Sequence, residues 1–339
     1  MKLNSGLRFV CGLLIVLVAV GAKALPPISE QDYLNEFASS AFQLPDNRIC
    51  AVFENNPDFS ALSSSRLYFV CLKERRFTKA KPLQETASRE FTYVANPRPL
   101  IINGKIWIYF NAYNDLTKEA KWGRFAFDEE DAETPIEWLN TSEVLQGQPS
   151  AWIFPALTDS GKIVLSYEMN SSAGGSDIYF SLSNKGQTFG SPVRLAESAR
   201  QARFAEFYKG PWAFSYKVGT AAYVVLSADE GRSLSAPIHI SAGAVIQDTF
   251  LLQRKDGDLD VYYLVDIEGK GYSLFRRKIT RTGILGNEEP LTSAAVSIEK
   301  LHALRLSSGK IFLTLSKTII ANGTKTSDVV FMTLMDDAP

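Results

Sequence analysis

Asp248 and Glu206 are the carboxylates of this 339-residue chain best placed for proton transfer, each lying at a short apolar run that reads as an inner strand. Acid/base work would need one of them held with a raised pKa beside a second catalytic group, a pairing that no spacing in the sequence displays. Trp107, Trp122, Trp138, Trp152 and Trp212 are rings of the kind that stack on sugars. Within strands such rings more often fill a core; Trp152, which opens its run, is the one expected to stay exposed. The only histidines, His239 and His302, are too few for a histidine-based zinc site or a Ser-His-Asp triad. Asp256-Gly257-Asp258-Leu259-Asp260 has the composition of a calcium loop and equally that of a hairpin turn, and the turn is the simpler reading. No cofactor is therefore expected, calcium being the one candidate metal. Asp128-Glu129-Glu130-Asp131 reads as a solvated loop.

Trp152 and Asp248 are almost a hundred residues apart, so any joint chemistry depends on the elements that carry them. Internal repetition supplies those elements. A seven-residue string recurs as Arg48–Glu54, Lys105–Asn111, Lys162–Glu168, Pro211–Lys217, Asp260–Asp266 and Lys310–Ser316, with starts separated by 57, 57, 49, 49 and 50 residues. The strings are rich in Val, Ile, Tyr, Phe and Trp, and turn signals such as Asn103-Gly104, Ser160-Gly161 and Ser308-Gly309 precede them, which predicts strands entered through tight hairpins. A shorter apolar run precedes each string and another follows it. A fourth run opens with proline in five units, at Pro82, Pro135, Pro192, Pro237 and Pro290. Proline is confined to edge strands or strand starts, so this fourth strand is outermost. Four antiparallel strands repeated six times predict an all-β, six-bladed propeller.

The ends of the chain complete that reading. Lys2 and Arg8, the apolar run Phe9–Val20, and Ala22-Lys23-Ala24 predict a Sec-type signal peptide over residues 1–24, which places the mature protein in the periplasm or outside the cell. No later run reaches the roughly 20 apolar residues of a membrane span. The expected single domain is 25–339. Its sixth unit ends without a fourth strand, and Pro26-Pro27-Ile28-Ser29-Glu30 resembles the outer-strand segments at Pro192 and Pro237, so residues 25–40 are expected to close the last blade. Loss of Lys2, Arg8 and Lys23 takes the formal charge from −1 to about −4 (−1 − 3), with the remaining cations dispersed, which excludes a phosphate-neutralising nucleic-acid surface. Cys50 and Cys71 fall on adjacent strands of the first unit, either as a cross-strand disulfide or as buried thiols. The oligomeric state is open.

Ser227-Ala228-Asp229-Glu230-Gly231-Arg232-Ser233-Leu234 resembles the Asp-box, Ser-x-Asp-x-Gly-x-Thr/Ser-Trp/Phe, that marks the turn before the outer strand in sialidase-like propellers. The unit before it has Asn184-Lys185-Gly186-Gln187-Thr188-Phe189 at the same place, with Leu182 where the first Ser would stand. The box is structural: its carboxylate or amide accepts backbone N–H groups, its glycine takes positive φ, and its aromatic packs between sheets. The resemblance covers the chain from about residue 40 and implies the sialidase scaffold. Sialidases hold a sialic acid carboxylate with three arginines and use a Tyr-Glu nucleophile with an Asp acid/base. The first arginine's motif is most nearly met by Asn96-Pro97-Arg98-Pro99, and Arg203 stands at a similar strand entrance; both are either carboxylate ligands or rim residues. Where the family has its nucleophilic tyrosine, this chain has Lys300 and Leu301.

The expected function is non-catalytic recognition of a glycan or protein on the axial face, through Arg98, Trp152, Arg203, Glu206 and Asp248. The alternatives are an exo-acting glycoside hydrolase with a diverged site and a structural subunit of a cell-envelope assembly.

Overall fold

The computed structural model describes residues 36–55, 65–73, 76–83, 91–114, 116–117, 119–127, 133–140, 149–170, 175–241, 243–268, 271–292, 297–321 and 324–335. The signal segment, the proposed closing strand at 25–31 and the acidic loop 128–131 lie outside them. All strand pairings within the sheets are antiparallel. The first sheet holds β1 (Glu36–Gln43), β2 (Ile49–Asn55) and β3 (Arg66–Lys73), with β4 (Arg76–Phe77) and β5 (Lys81–Leu83) both pairing with β3. The second holds β6 (Tyr93–Ile102), β7 (Lys105–Tyr113), β8 (Ala120–Phe127) and β9 (Glu137–Trp138), and the third β10 (Pro149–Leu157), β11 (Ile163–Asn170), β12 (Ser176–Ser183) and β13 (Val193–Ala196). In the fourth are β14 (Ala199–Glu206), β15 (Trp212–Val218), β16 (Ala221–Ser227) and β17 (Ile238–His239), and in the fifth β18 (Val245–Gln253), β19 (Leu259–Ile267), β20 (Gly271–Ile279) and β21 (Glu289–Pro290). The sixth has three described strands, β22 (Ser297–Arg305), β23 (Ile311–Ala321) and β24 (Thr324–Leu334).

Each inner strand packs on the neighbouring blade, and β1 returns to β22, β23 and β24, so the six sheets form a closed ring, a six-bladed β-propeller. The six repeated strings are the second strands, whose alternating faces fill the spaces between blades; Ile108, Phe110, Leu165, Phe214, Val261 and Leu313 are all buried there. Pro82 and Pro290 lie in outer strands, and Pro135, Pro192 and Pro237 stand just ahead of β9, β13 and β17. A missing N–H at the outer edge leaves no ladder bond unmade. At the ring closure, Val329 N donates to Glu36 Oε2 at 3.1 Å and Ser327 Oγ donates to the Glu36 carbonyl oxygen.

Every inner strand breaks register once, between Phe37 and Ser40, Ala95 and Arg98, Pro149 and Ile153, Arg200 and Arg203, Ile246 and Asp248, and Ile298 and Lys300. Ala38, Asn96 and Gln201 take positive φ at three of these bulges. A bulge bends the strand and re-aims the side chains beyond it. In four of the blades the residue that ends the second-strand string bonds the backbone of the next blade's bulge. Glu54 Oε2 accepts Asn96 N–H at 2.8 Å, Glu168 Oε1 accepts Gln201 N–H at 2.6 Å, and Ser316 Oγ accepts Ala38 N–H at 3.2 Å. Lys217 Nζ donates to the Gln247 carbonyl at 2.9 Å.

In the turn after β16, Asp229 accepts from Ser233 N (2.8 Å), Ser233 Oγ (2.7 Å) and Ser227 Oγ (2.9 Å), while Gly231, at φ +85°, donates its N–H to Ser227 Oγ at 2.7 Å. A side chain on Gly231 would meet the Phe180 ring of the neighbouring blade at 2.2 Å. In the turn after β12 the serine is present, one residue nearer the glycine than in the other turn. Ser183 Oγ accepts Gly186 N–H at 2.7 Å, Gly186 sits at φ +78°, and Phe189 is buried between blades.

Cys50 and Cys71 face each other across β2 and β3 and are joined by a disulfide closing a separation of 21 residues. Both are buried in the core between the first two blades. Iodoacetamide is expected to leave both unlabelled until a reductant and denaturant are added, with the intact mass rising by two hydrogens on reduction. Replacing both by alanine should lower unfolding free energy by about 3 kcal/mol through the lost loop constraint, measured by urea titration.

Candidate functional site

The bulges turn four ionisable side chains from four blades toward the propeller axis: Arg98, Arg203, Asp248 and Lys300 each follow the register break of their inner strand. Trp152 joins them from the third blade and is the point where the cations meet. Its ring lies 5.3 Å from the Arg98 guanidinium carbon, 4.3 Å from that of Arg203 and 4.7 Å from Lys300 Nζ. Lys300 belongs to the sixth blade and Trp152 to the third, three blades apart around the ring, so this contact crosses the axis. Phe154 and Phe250, from the third and fifth blades, meet across the axis as well, at 5.8 Å and edge-on, and with His302, whose ring lies 4.7 Å from Phe250, they form an aromatic floor beneath the guanidinium groups. A cation over an aromatic face is attracted by the ring quadrupole, and three around one indole concentrate positive charge there.

Asp248 is the fixed counter-charge. It is fully buried, accepts Thr249 N–H (2.9 Å) and Leu301 N–H (3.0 Å), and takes Arg203 Nη2 at 3.2 Å on each oxygen. Those bonds occupy its lone pairs, so Asp248 organises the cluster and has little capacity left to exchange protons with a substrate. Arg203 also donates Nε to the Thr249 carbonyl at 3.2 Å, and Arg98 donates Nη1 to Ser40 Oγ at 2.5 Å. Arg203 Nη1 and Arg98 Nε, both buried, have no hydrogen-bond partner among the described residues; nor do both amide atoms of Asn111 and the hydroxyl of Ser166. Buried polar groups of this kind call for a partner such as an ordered water, an ion or a ligand.

Burial sets the protonation of the cluster. It pulls Arg98 down to about 9, with repulsion from Arg203 adding to the effect, which still leaves the guanidinium charged at neutral pH. Burial lowers Arg203 too, opposed by Asp248. Lys300, half-buried, is lowered by desolvation; Asp248 opposes this, while Arg203 and Arg98 reinforce it. Glu54 is raised to about 7 by desolvation against the pull of the Asn96 N–H, Lys300 and Arg98. Glu168 is raised for the same first reason, against the Gln201 N–H, Arg200, Lys300 and Arg203. His302 is driven far down by burial and by the two arginines, and its Nδ1 accepts Ala41 N–H at 3.3 Å. Neutral imidazole is the form that can accept there.

The structure thus brings together four of the five residues singled out in the sequence, Arg98, Trp152, Arg203 and Asp248. Trp152 differs from the expectation in being only 6% exposed, because the bulge folds its ring inward under the guanidinium groups. Glu206 lies at the far end of β14, about 10 Å along the strand from Arg203, where it accepts Asp159 N–H at 2.6 Å and Trp212 Nε1–H at 3.1 Å. Asp256 and Asp258 cap the hairpin before β19 and pair with Arg254 and Lys278, so cations of the chain already occupy that turn. Sequence reasoning missed Glu54 and Glu168. A signal was available: the last residue of the repeated string is polar in all six units, Glu54, Asn111, Glu168, Lys217, Asp266 and Ser316.

No protein-family model matches the sequence, and no curated protein matches it. Solved structures match its fold. A protein of unknown function from Dyadobacter fermentans aligns at TM-score 0.71 and 15% identity, covering 90% of this chain and 96% of that one. The NanB sialidase from Streptococcus pneumoniae aligns at 0.68 and 9% identity, over 92% and 71% of the two chains. An α-L-arabinanase from Penicillium chrysogenum, complexed with arabinobiose, aligns at 0.65 and 14%, over 91% and 97%. The chain shares its six-bladed scaffold with sialidases and an arabinanase, and a shared scaffold leaves the chemistry to the residues mounted on it.

Proposed function

We propose that this chain is an exported, non-catalytic binding propeller that recognises a carboxylate-bearing glycan, of the sialic acid type, at the axial cluster. The observation that carries the reading is the convergence of Arg98, Arg203 and Lys300 on the Trp152 ring, with guanidinium N–H groups still unpartnered. Charge-assisted bonds to a carboxylate are about twice as strong as neutral ones. Asp248 is engaged by its neighbours, which favours binding over hydrolysis. Isothermal titration should show N-acetylneuraminic acid binding at least about tenfold more tightly than its methyl ester, the equivalent of 1.4 kcal/mol. Equal affinities for acid and ester would sink the reading, as would a blank glycan array combined with a stable protein partner in pull-down.

A second reading, an exo-acting glycosidase with diverged chemistry, draws on Glu54, whose carboxyl held up to about 7 suits a general acid at neutral pH. Release of 4-methylumbelliferone from a glycoside panel, lost in Glu54→Gln, would establish that reading in place of the first.

A further inference from the structure

We propose that Lys300 is a nucleophilic amine that captures the ketone of a 2-oxo acid as an imine, the ligand's carboxylate lying on Arg98 and Arg203. The carboxylate part of this rests on the binding reading above. The covalent step does not follow from it and stands on the placement of Lys300.

Lys300 follows the bulge of β22 and crosses the axis to the Trp152 face, 4.7 Å from the ring centroid. The residue is half-buried, while Arg98 and Arg203 are buried, and its amine lies on the same Trp152 ring as both guanidinium groups. A ligand entering with its carboxylate toward the arginines would carry its neighbouring carbon past the amine. Desolvation and adjacent cations are the two devices that free a lysine amine for carbonyl chemistry, and both act on Lys300, through burial and through Arg203 and Arg98. Glu54, whose field reaches both Lys300 and Arg98, is a group of the cluster able to hold a proton near neutral pH.

The step balances without any further reagent. The uncharged amine attacks the ketone carbon, a C–N bond forms as the C=O π bond opens, and the nitrogen's proton passes to the oxygen to give a carbinolamine. Glu54 protonates the departing hydroxyl, which leaves as water as the nitrogen lone pair forms C=N. The product is a protonated imine beside the Glu54 carboxylate. Hydrolysis reverses each move, so the site would hold a 2-oxo acid, or the open-chain form of an acidic ketose, in reversible covalent form.

Full-length mature protein should be incubated with pyruvate and sodium cyanoborohydride, digested and mapped by mass spectrometry. The expected result is one 1-carboxyethyl group on the peptide containing Lys300, formed at least about tenfold faster than at any other lysine, equivalent to about 1.4 kcal/mol off the barrier. Acetone, which has the ketone and lacks the carboxylate, should label Lys300 about tenfold more slowly, and Lys300→Arg should abolish the adduct at that position. Pyruvate labelling spread over surface lysines, or absent from Lys300, would overturn the proposal even if the variant failed to fold, since mapping of the unaltered protein decides it. Titration of the same preparation with N-acetylneuraminic acid separates the two ideas. Binding without an adduct leaves the glycan reading standing and removes this one, and neither signal removes both.

Discussion

Asp248→Asn should destabilise the protein by about 3–5 kcal/mol, the usual cost of leaving a buried charge uncompensated, and it should do so although the substitution is nearly isosteric. Arg203 has no exposed surface, and its closest counter-charge is Asp248, which meets Nη2 with both oxygens. An asparagine keeps one acceptor oxygen and presents an NH2 group where Arg203, Thr249 N–H or Leu301 N–H now donates. At least one buried donor is left facing a donor. Leu301 lies in the sixth blade and Asp248 in the fifth, so the loss also unpins one blade from the next. Urea unfolding monitored by tryptophan fluorescence measures the effect. A second arm tests the cause: Arg203→Met combined with Asp248→Leu removes both charges and should recover most of the lost stability, because a buried pair exchanged for apolar groups is often neutral or better. Recovery in the double variant assigns the loss to the orphaned charge. No recovery would show that Asp248 acts mainly through the Leu301 and Thr249 bonds.

The ring was legible in the sequence because its strands are short, alternating and separated by Asn-Gly and Ser-Gly turns at near-constant spacing. Those local patterns hold wherever one strand face packs against a neighbouring blade. The edge prolines were readable for the same local reason. The cluster was readable only in part. Arg98 and Arg203 stood out through their likeness to a known strand entrance, but Lys300 was visible only as the residue occupying a tyrosine's place. Its meeting with Trp152 joins positions 148 residues apart (300 − 152) through closure of the ring, which no local pattern encodes. The bulges were silent too. Glycine would have marked a left-handed residue, whereas Ala38, Asn96 and Gln201 occupy those positions, held there by Ser316, Glu54 and Glu168 of the preceding blades.

That arrangement ties the site to the fold. The carboxylates that fix the bulges of the second and fourth blades accept backbone N–H groups two residues ahead of the arginines those bulges aim, Asn96 before Arg98 and Gln201 before Arg203. A change in Glu54 therefore acts both on where Arg98 points and on the charge around it.

Glu54→Gln separates those two effects and should raise stability at alkaline pH. The carboxyl is 3% exposed and is held up to about 7 from an ordinary 4.5, chiefly by desolvation. A carboxyl whose pKa is raised by folding contributes stability that is complete below pH 4.5 and is lost as pH rises through about 7, because above that the folded protein must carry a buried charge. At about 1.4 kcal/mol per pKa unit the swing is about 3 kcal/mol. Glutamine keeps an acceptor for the Asn96 N–H and cannot ionise, so the variant should match the parent at pH 4 and exceed it at pH 8 by up to that amount. Glu168 is raised in the same direction and remains in both proteins, so the difference between their urea-derived free energies across pH 4–8 isolates Glu54. Parallel curves would mean that folding leaves the Glu54 carboxyl at its ordinary pKa. The same proton governs the ligand: as Glu54 takes it up below pH 7, Arg98 and Lys300 lose a competing negative charge, and a carboxylate should bind more tightly in acid. In Glu54→Gln that gain is present at every pH, which leaves a flatter binding profile set above the parent's at pH 8.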